Sequence, residues 1–278
     1  MAHSVHPVLS PHADLGVVLG PAMDETLRMF SVDQRDRVRD RIFEMAKSDR
    51  RVVGGAVIGS LAHGNGDEWS DLDLMFAVTD GNLVKEELED WGETLIRDDG
   101  AVPLFDLPSG SIIYRVFLLP DCLELDLSFA PASAFGPEGP SFEVVFGTAI
   151  RQPEDAATPA AEVFGYAVHH ALHARVAIER GRYWQAEHWI SAIRDKSLHL
   201  ACLRRGLDGW YGRDFDRLPA EVLAAMREGL VRSLDPGEIR RALEVVVEAL
   251  LRESTEVGDM VGKLQSQLRE LASLRPGT

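Results

Sequence analysis

The sequence predicts an α+β protein in two parts, and three observations carry that prediction. β-branched apolar runs crowd the first half, helical periodicity fills the second, and a stretch of prolines and small residues at 151–159 lies between them. At 278 residues, 45% hydrophobic and 27% charged, the chain has material for one or two packed cores and is neither globally disordered nor collagen-like. Its 29 Lys and Arg against 45 Asp and Glu leave a net charge of −16. Without a clustered basic tract, that charge sets protein anions against phosphates, so nucleic acid is not an expected partner. An acidic surface favours a cationic small molecule, or simply keeps the protein dissolved. Cys122 and Cys202 lie in apolar patterns without a CxxC neighbour and read as reduced core residues. Residues 1–21 lack a basic segment ahead of an apolar one, and no run reaches the roughly 18 apolar residues of a membrane span, so neither a leader nor a membrane anchor is expected. A cytoplasmic location is the expectation.

The elements follow in order. Residues 31–50 space Val32, Val38, Ile42, Phe43 and Met45 among charges, and Ser31 with Gln34 has the form of a capping box, so a surface helix starts at Ser31. Residues 52–58 and 72–78 are apolar runs that read as buried strands. Residues 83–96 are acidic and amphipathic, a second surface helix. Residues 112–119 and 123–129 flank Pro120-Asp121 as the arms of a hairpin do, and 144–146 add a short edge strand. The domain boundary is placed in 151–159, giving a sheet-containing domain over 1–152 and a helical domain over 153–278. Helices are expected over 161–180, 183–204, 220–233 and 236–274, the last interrupted at Gly258 or Gly262. Short connections between them make an antiparallel bundle.

The informative stretch is Gly59-Ser60-Leu61-Ala62-His63-Gly64-Asn65-Gly66-Asp67-Glu68-Trp69-Ser70-Asp71-Leu72-Asp73-Leu74. Residues two apart in a strand point the same way, so Asp71 and Asp73 present both carboxylates on one face while Leu72 and Leu74 enter the core. Paired carboxylates suit a hard cation such as Mg²⁺, which bridges onward to triphosphate oxygens. Gly59 permits a sharp turn, and Ser60 offers a hydroxyl and a backbone N–H to phosphate. With 45 acidic residues in 278, an i, i+2 acidic pair arises by chance about 7 times, so the pair alone decides nothing. The order strand, Gly-Ser, polar Gly-rich turn, Asp-x-Asp, strand is far rarer.

That stretch resembles the signature of the DNA polymerase beta-type nucleotidyltransferase superfamily, Gly-Ser followed about ten residues later by Asp-x-Asp. Within it, a sheet domain with a helical C-terminal bundle is similar to the aminoglycoside and lincosamide nucleotidyltransferases. The specific motif covers Gly59 to Leu74, the architectural likeness about residues 30–275. The resemblance implies a mixed sheet, bound ATP and Mg²⁺, and transfer of a nucleoside monophosphate to a hydroxyl. It also implies a third carboxylate on a nearby strand. The strand at 123–129 alternates strictly, with Glu124, Asp126 and Ser128 on one face, so Asp126 is the first choice and Glu124 the reserve, as metal ligand or general base. In Gly212-Arg213-Asp214, Arg213 stands where such relatives carry a triphosphate-binding cation shortly before a Leu-Pro pair, here Leu218-Pro219. They commonly have Lys there, and Arg213 is a departure.

The helical half adds Glu187, Ser191 and Arg194 on one helix face. Arg194 is a candidate for phosphate, and Glu187 for a cationic substrate or as an alternative base; a plain surface face reads equally well. His169 and His173 have i, i+4 zinc spacing but lack the Glu of a His-Glu-x-x-His motif. His63 lies in the motif loop, where a nucleotide contact and an idle surface position are both open. Trp184, Trp189 and Trp210 read as core. The expected activity is thus a Mg²⁺-dependent nucleotidyltransferase using ATP on a hydroxyl of a cationic small molecule, such as an aminoglycoside-type antibiotic. The rivals are an antitoxin-type protein adenylyltransferase and a non-catalytic nucleotide-binding module.

Overall fold

A computed structural model describes residues 29–273 except 65, 138–140 and 152–157. The chain forms two compact units, Met1–Asp155 and Ala156–Thr278. Most of the segment expected to link them lies outside the described residues.

The first unit is built on one six-stranded sheet: β1 (Val52–Ile58), β2 (Leu72–Val78), β3 (Val102–Ser109), β4 (Ile112–Leu118), β5 (Glu124–Pro131) and β6 (Phe142–Phe146), in the order β3-β4-β5-β2-β1-β6. The sheet is mixed. The central pair, β2 and β5, is parallel, and every other neighbouring pair is antiparallel. Helices α1 (Val32–Ser48) and α2 (Val84–Asp99) contribute to its main core. At the start of α1, the Ser31 hydroxyl accepts the Gln34 N–H at 3.1 Å, as its capping pattern predicts. Helix α2 ends at Gly100, whose φ of 65° closes the C-terminus.

Alternation divides the sheet's side chains between two cores. Leu72, Leu74, Phe76 and Val78 of β2 and Leu125, Leu127 and Phe129 of β5 join Ile42, Phe43, Leu88, Trp91 and Leu95 from the helices. Aromatic rings concentrate there: Phe76 and Trp91 lie 5.1 Å apart, and Trp91 and Phe129 5.0 Å, edge to face. Met75, Ala77 and Ala130 point the other way, into a smaller cluster around Phe135. The carboxylate-bearing positions of β2 and β5 share this second parity.

The sequence did not announce β3. Its eight residues are all exposed, and it includes Pro103 and Pro108, so it shows neither alternation nor an uninterrupted β-forming run. Cys122 is exposed rather than buried, because residues 120–122 form a tight turn between β4 and β5 in which both Asp121 and Cys122 have φ near 60°.

The second unit holds α3 (Ala160–Glu179), α4 (Tyr183–Leu203), α5 (Ala220–Glu228), α6 (Pro236–Glu253) and α7 (Gly258–Ala272). Ala167, Ala171, Ala174 and Ala177 of α3 are buried at i, i+4, i+7 and i+10, a small-residue face that joins Ile190 and Ile193 of α4 in one core. Two boundaries differ from expectation. Helix α5 stops at Glu228, before Gly229, rather than at 233. The long C-terminal helix breaks at Ser254–Val257, not at Gly258 or Gly262: the buried Ser254 hydroxyl bonds back to the Leu250 carbonyl at 2.6 Å, and Gly258 instead opens α7. Trp184 and Trp210 are surface residues, 76% and 52% exposed, and only Trp189 is partly buried. Among the described residues, no helix is long and apolar enough to cross a membrane.

One buried charge in the first unit has a measurable consequence. Glu87 of α2 is fully buried and ion-paired with Arg51, which also hydrogen-bonds Asp49. Burial, with Asp49 beside it, pushes the Glu87 carboxyl up to about 7 against the pull of Arg51. Since this exceeds the ordinary 4.5, its protonation favours the fold: the contribution is full below pH 4.5 and is lost as pH rises through 7. The calorimetric melting temperature should carry that downward slope between about pH 5 and 8, and Glu87→Gln should remove this part of it. A variant with the wild-type pH slope would show that Glu87 is not the titrating group.

Candidate functional site

Strand β1 ends in a turn that only glycine fits. Gly59 has φ of 67°, and a Cβ built on it would collide with the Asp73 carboxylate. Its N–H is tied to the Ser141 carbonyl at 3.1 Å. The chain then turns through Gly59–Gly64, with Ser60 exposed and a left-handed kink at His63, φ 60°. The His63 backbone N–H donates to Glu143 of β6 at 2.5 Å, so a side chain from the edge strand holds the far end of this turn.

Asp71 immediately precedes β2 rather than lying within it, and Asp73 is the strand's second residue. The parallel register sets Asp73 opposite Asp126 of β5. Glu124 begins β5 and is exposed, whereas Asp126 is half-buried. Burial raises the Asp126 carboxyl to about 6, and the negative charges of Glu124 and then Asp71 add to the shift. Its Oδ1 is buried without a hydrogen-bond partner in the protein. Three expected site residues, Asp71, Asp73 and Asp126, therefore gather at one end of the parallel pair with Glu124 at the rim, beside the Gly59–Ser60 turn. Among the described residues, no group of three or more His, Cys, Asp or Glu side chains forms a ready-made metal cage. A cation that keeps several waters and takes only one or two carboxylates, as Mg²⁺ does, needs none.

The second unit holds the remaining candidates. On α4 the Ser191 hydroxyl donates to Glu187 at 2.7 Å and accepts from Arg194 at 3.2 Å, so the three side chains form one hydrogen-bonded row, with the second Arg194 terminal nitrogen buried and unpartnered. Arg213 is exposed; it pairs with Asp208 at 3.3 Å and lies over the Tyr211 ring. His169 and His173 have ring centres 4.3 Å apart, and His173 stacks on Trp189 at 4.9 Å, which makes them part of an aromatic cluster on α3 and α4.

Sequence reasoning missed the residues that shape the motif loop, Glu143 and Arg35. They act from 80 and 32 positions away, and no local pattern marks them. The Asp67–Ser70 turn was missed as well, although Asp-x-x-Ser is a local signal for a side-chain-closed turn; Asp67 accepts the Trp69 N–H at 2.9 Å.

No protein-family model matches this chain, and no curated protein matches it. Solved structures similar to it include an aminoglycoside 6-adenyltransferase from Bacillus subtilis, 13% identical over 88% of this chain and 100% of that one, with a TM-score of 0.38. Another is a nucleotidyltransferase-like protein from Exiguobacterium sibiricum 255-15, 12% identical over 80% of this chain and 77% of that one, with a TM-score of 0.36.

The Gly59–Asp73 contact is directly testable. Gly59→Ala should destabilise the protein by about 1–2 kcal/mol through its left-handed backbone alone, with a further loss from the displaced carboxylate. Urea unfolding of Gly59→Ala, Asp73→Ala and the double variant measures the coupling. The double variant should be more stable than the sum of the two single losses predicts, since removing the carboxylate vacates the space the methyl needs; strict additivity would refute the contact.

Proposed function

We propose that this protein is a Mg²⁺-dependent nucleotidyltransferase that moves a nucleoside monophosphate from ATP to a hydroxyl of a cationic small molecule. One observation carries the reading: the parallel register that sets Asp73 against Asp126, with Asp71 adjoining, next to a glycine-dependent turn exposing Ser60. The carboxylates fit a divalent cation, because Asp126 already registers the repulsion of Asp71 and Glu124 that such an ion relieves. Asp71 and Asp73 would hold Mg²⁺, the one or two carboxylates such an ion takes, and Asp126 adjoins them unligated. When bound, the ion supplies positive charge to the oxygens of the triphosphate.

The chain's own groups do the rest. Ser60 presents its hydroxyl and N–H to a phosphate oxygen. Asp126 takes the proton from the attacking hydroxyl: burial leaves its carboxyl more basic than an ordinary Asp. The acceptor oxygen bonds to the α-phosphorus as the bond to pyrophosphate breaks, and the proton ends on Asp126. The net charge of −16 supports an acceptor bearing amines.

The decisive measurement is Mg²⁺-dependent pyrophosphate release from ATP across a panel of aminoglycosides, with the nucleotidylated product identified by mass spectrometry. Asp126→Asn should lower kcat by about 10²–10⁴-fold while retaining Mg²⁺-dependent ATP binding, and Asp73→Asn should abolish that binding. Wild-type activity should fall as pH drops toward the ordinary Asp range, with a midpoint below about 6 because the cation offsets the repulsion of Asp71 and Glu124. Pyrophosphate release that persists undiminished in both variants would remove the carboxylates from the reaction.

A further inference from the structure

Arg35, on the second turn of α1, is 5% exposed, an uncommon fate for an arginine. Its Nη1 donates to two backbone carbonyls from a distant part of the chain, Asp67 at 2.7 Å and Ser70 at 2.9 Å. Those carbonyls belong to a turn that is also closed from within. The Asp67 carboxylate accepts the Trp69 N–H at 2.9 Å and the Ser70 hydroxyl at 3.1 Å, and the Ser70 hydroxyl accepts the Asp67 N–H at 2.9 Å. Ser70 precedes Asp71. Because the peptide unit is planar, fixing the Ser70 oxygen also fixes the nitrogen and Cα of Asp71. On the other side, the β2 ladder fixes the chain from Leu72, which pairs with Leu125 of β5. The backbone of Asp71 is thus clamped at both ends, by a helix arginine and by the sheet.

We infer that Arg35 is a positioning residue: through the Ser70 carbonyl it aims the Asp71 carboxylate at the divalent cation. The inference rests on the cation reading under Proposed function. Arg35 itself touches neither cation nor nucleotide in this scheme. Its role is that of the outer partners that orient metal ligands, whose removal typically lowers metal affinity about 10–100-fold. The exposed Asp67 supports the same turn from outside and belongs to the same device.

The test uses the full chain and binding, not turnover. Mn²⁺ serves as the probe, with affinity read from the fall in the electron paramagnetic resonance signal of free Mn²⁺ as protein is added, with no nucleotide present to chelate the ion. Thermal midpoints are measured in parallel. Wild type, Asp73→Asn, Arg35→Lys, Arg35→Met and Asp67→Ala are compared. Asp73→Asn should lose Mn²⁺ binding; if it binds like wild type, or wild type does not bind, the cation reading fails and the inference fails with it. With that reading intact, Arg35→Met and Asp67→Ala should each weaken Mn²⁺ about 10-fold or more, and Arg35→Lys, which keeps a donor in place, should recover part of the loss. If these variants melt earlier but hold Mn²⁺ as tightly as wild type, Arg35 only staples the loop and the inference is overturned. Should Arg35→Met not fold, Arg35→Lys and the surface variant Asp67→Ala decide between the same two outcomes.

Discussion

Placing two parallel strands at the centre of an otherwise antiparallel sheet makes their starting ends coincide. A seven-residue strand spans roughly 20 Å, so antiparallel pairing of β2 and β5 would have left Asp73 and Asp126 at opposite edges of the sheet. Parallel pairing puts them side by side, with Asp71 and Glu124 adjoining. The chain reaches this arrangement through a long crossover, α2, β3 and β4, instead of a tight turn. Like charges brought together repel, and that repulsion contributes to the raised Asp126 carboxyl. The glycine at the end of β1, the clamp on the 67–70 turn and the exposed Ser60 all border this one anionic end.

An unfavourable cluster of carboxylates persists where the structure beneath over-determines it. Strand β2 is buried on both faces: Leu72, Leu74, Phe76 and Val78 enter the main core, and Met75 and Ala77 the smaller one. The rings of Phe43, Phe76, Trp91 and Phe129 lock the same two strands from the helix side. Slipping β2 by one residue would relieve the carboxylates but turn that whole set of side chains to the wrong face, so apolar burial fixes the register that the charges alone would not choose.

Much of this was legible in the sequence. The bounds of β1 and β2 follow from largely apolar runs ending at Gly59 and beginning after Asp71, and the cap at Ser31 from its spacing to Gln34. Alternation along β5 put Glu124 and Asp126 on one face, as the structure has them, but the idea that they and Asp71 and Asp73 form one site came from the resemblance of the Gly59–Leu74 motif. Most of what escaped lacks a local signal. Strand β3 is exposed throughout, the fully buried Glu87 looks like any surface glutamate on an acidic helix, and the contacts of Arg35 and Glu143 with the motif loop join residues far apart in the chain. Trp184 and Trp210 misled in the opposite direction, because large aromatic residues usually lie inside and these do not.

The open side of β3 raises a question of solubility. Val102, Leu104, Phe105 and Leu107 are each about half exposed on the outermost strand, the kind of surface that invites a neighbouring molecule to add a strand of its own. Pro103 and Pro108 each withhold an amide hydrogen, and the register is broken between Pro103 and Phe105. A second chain arriving at this margin meets a strand interrupted by prolines and a register shift, a poor template for further pairing.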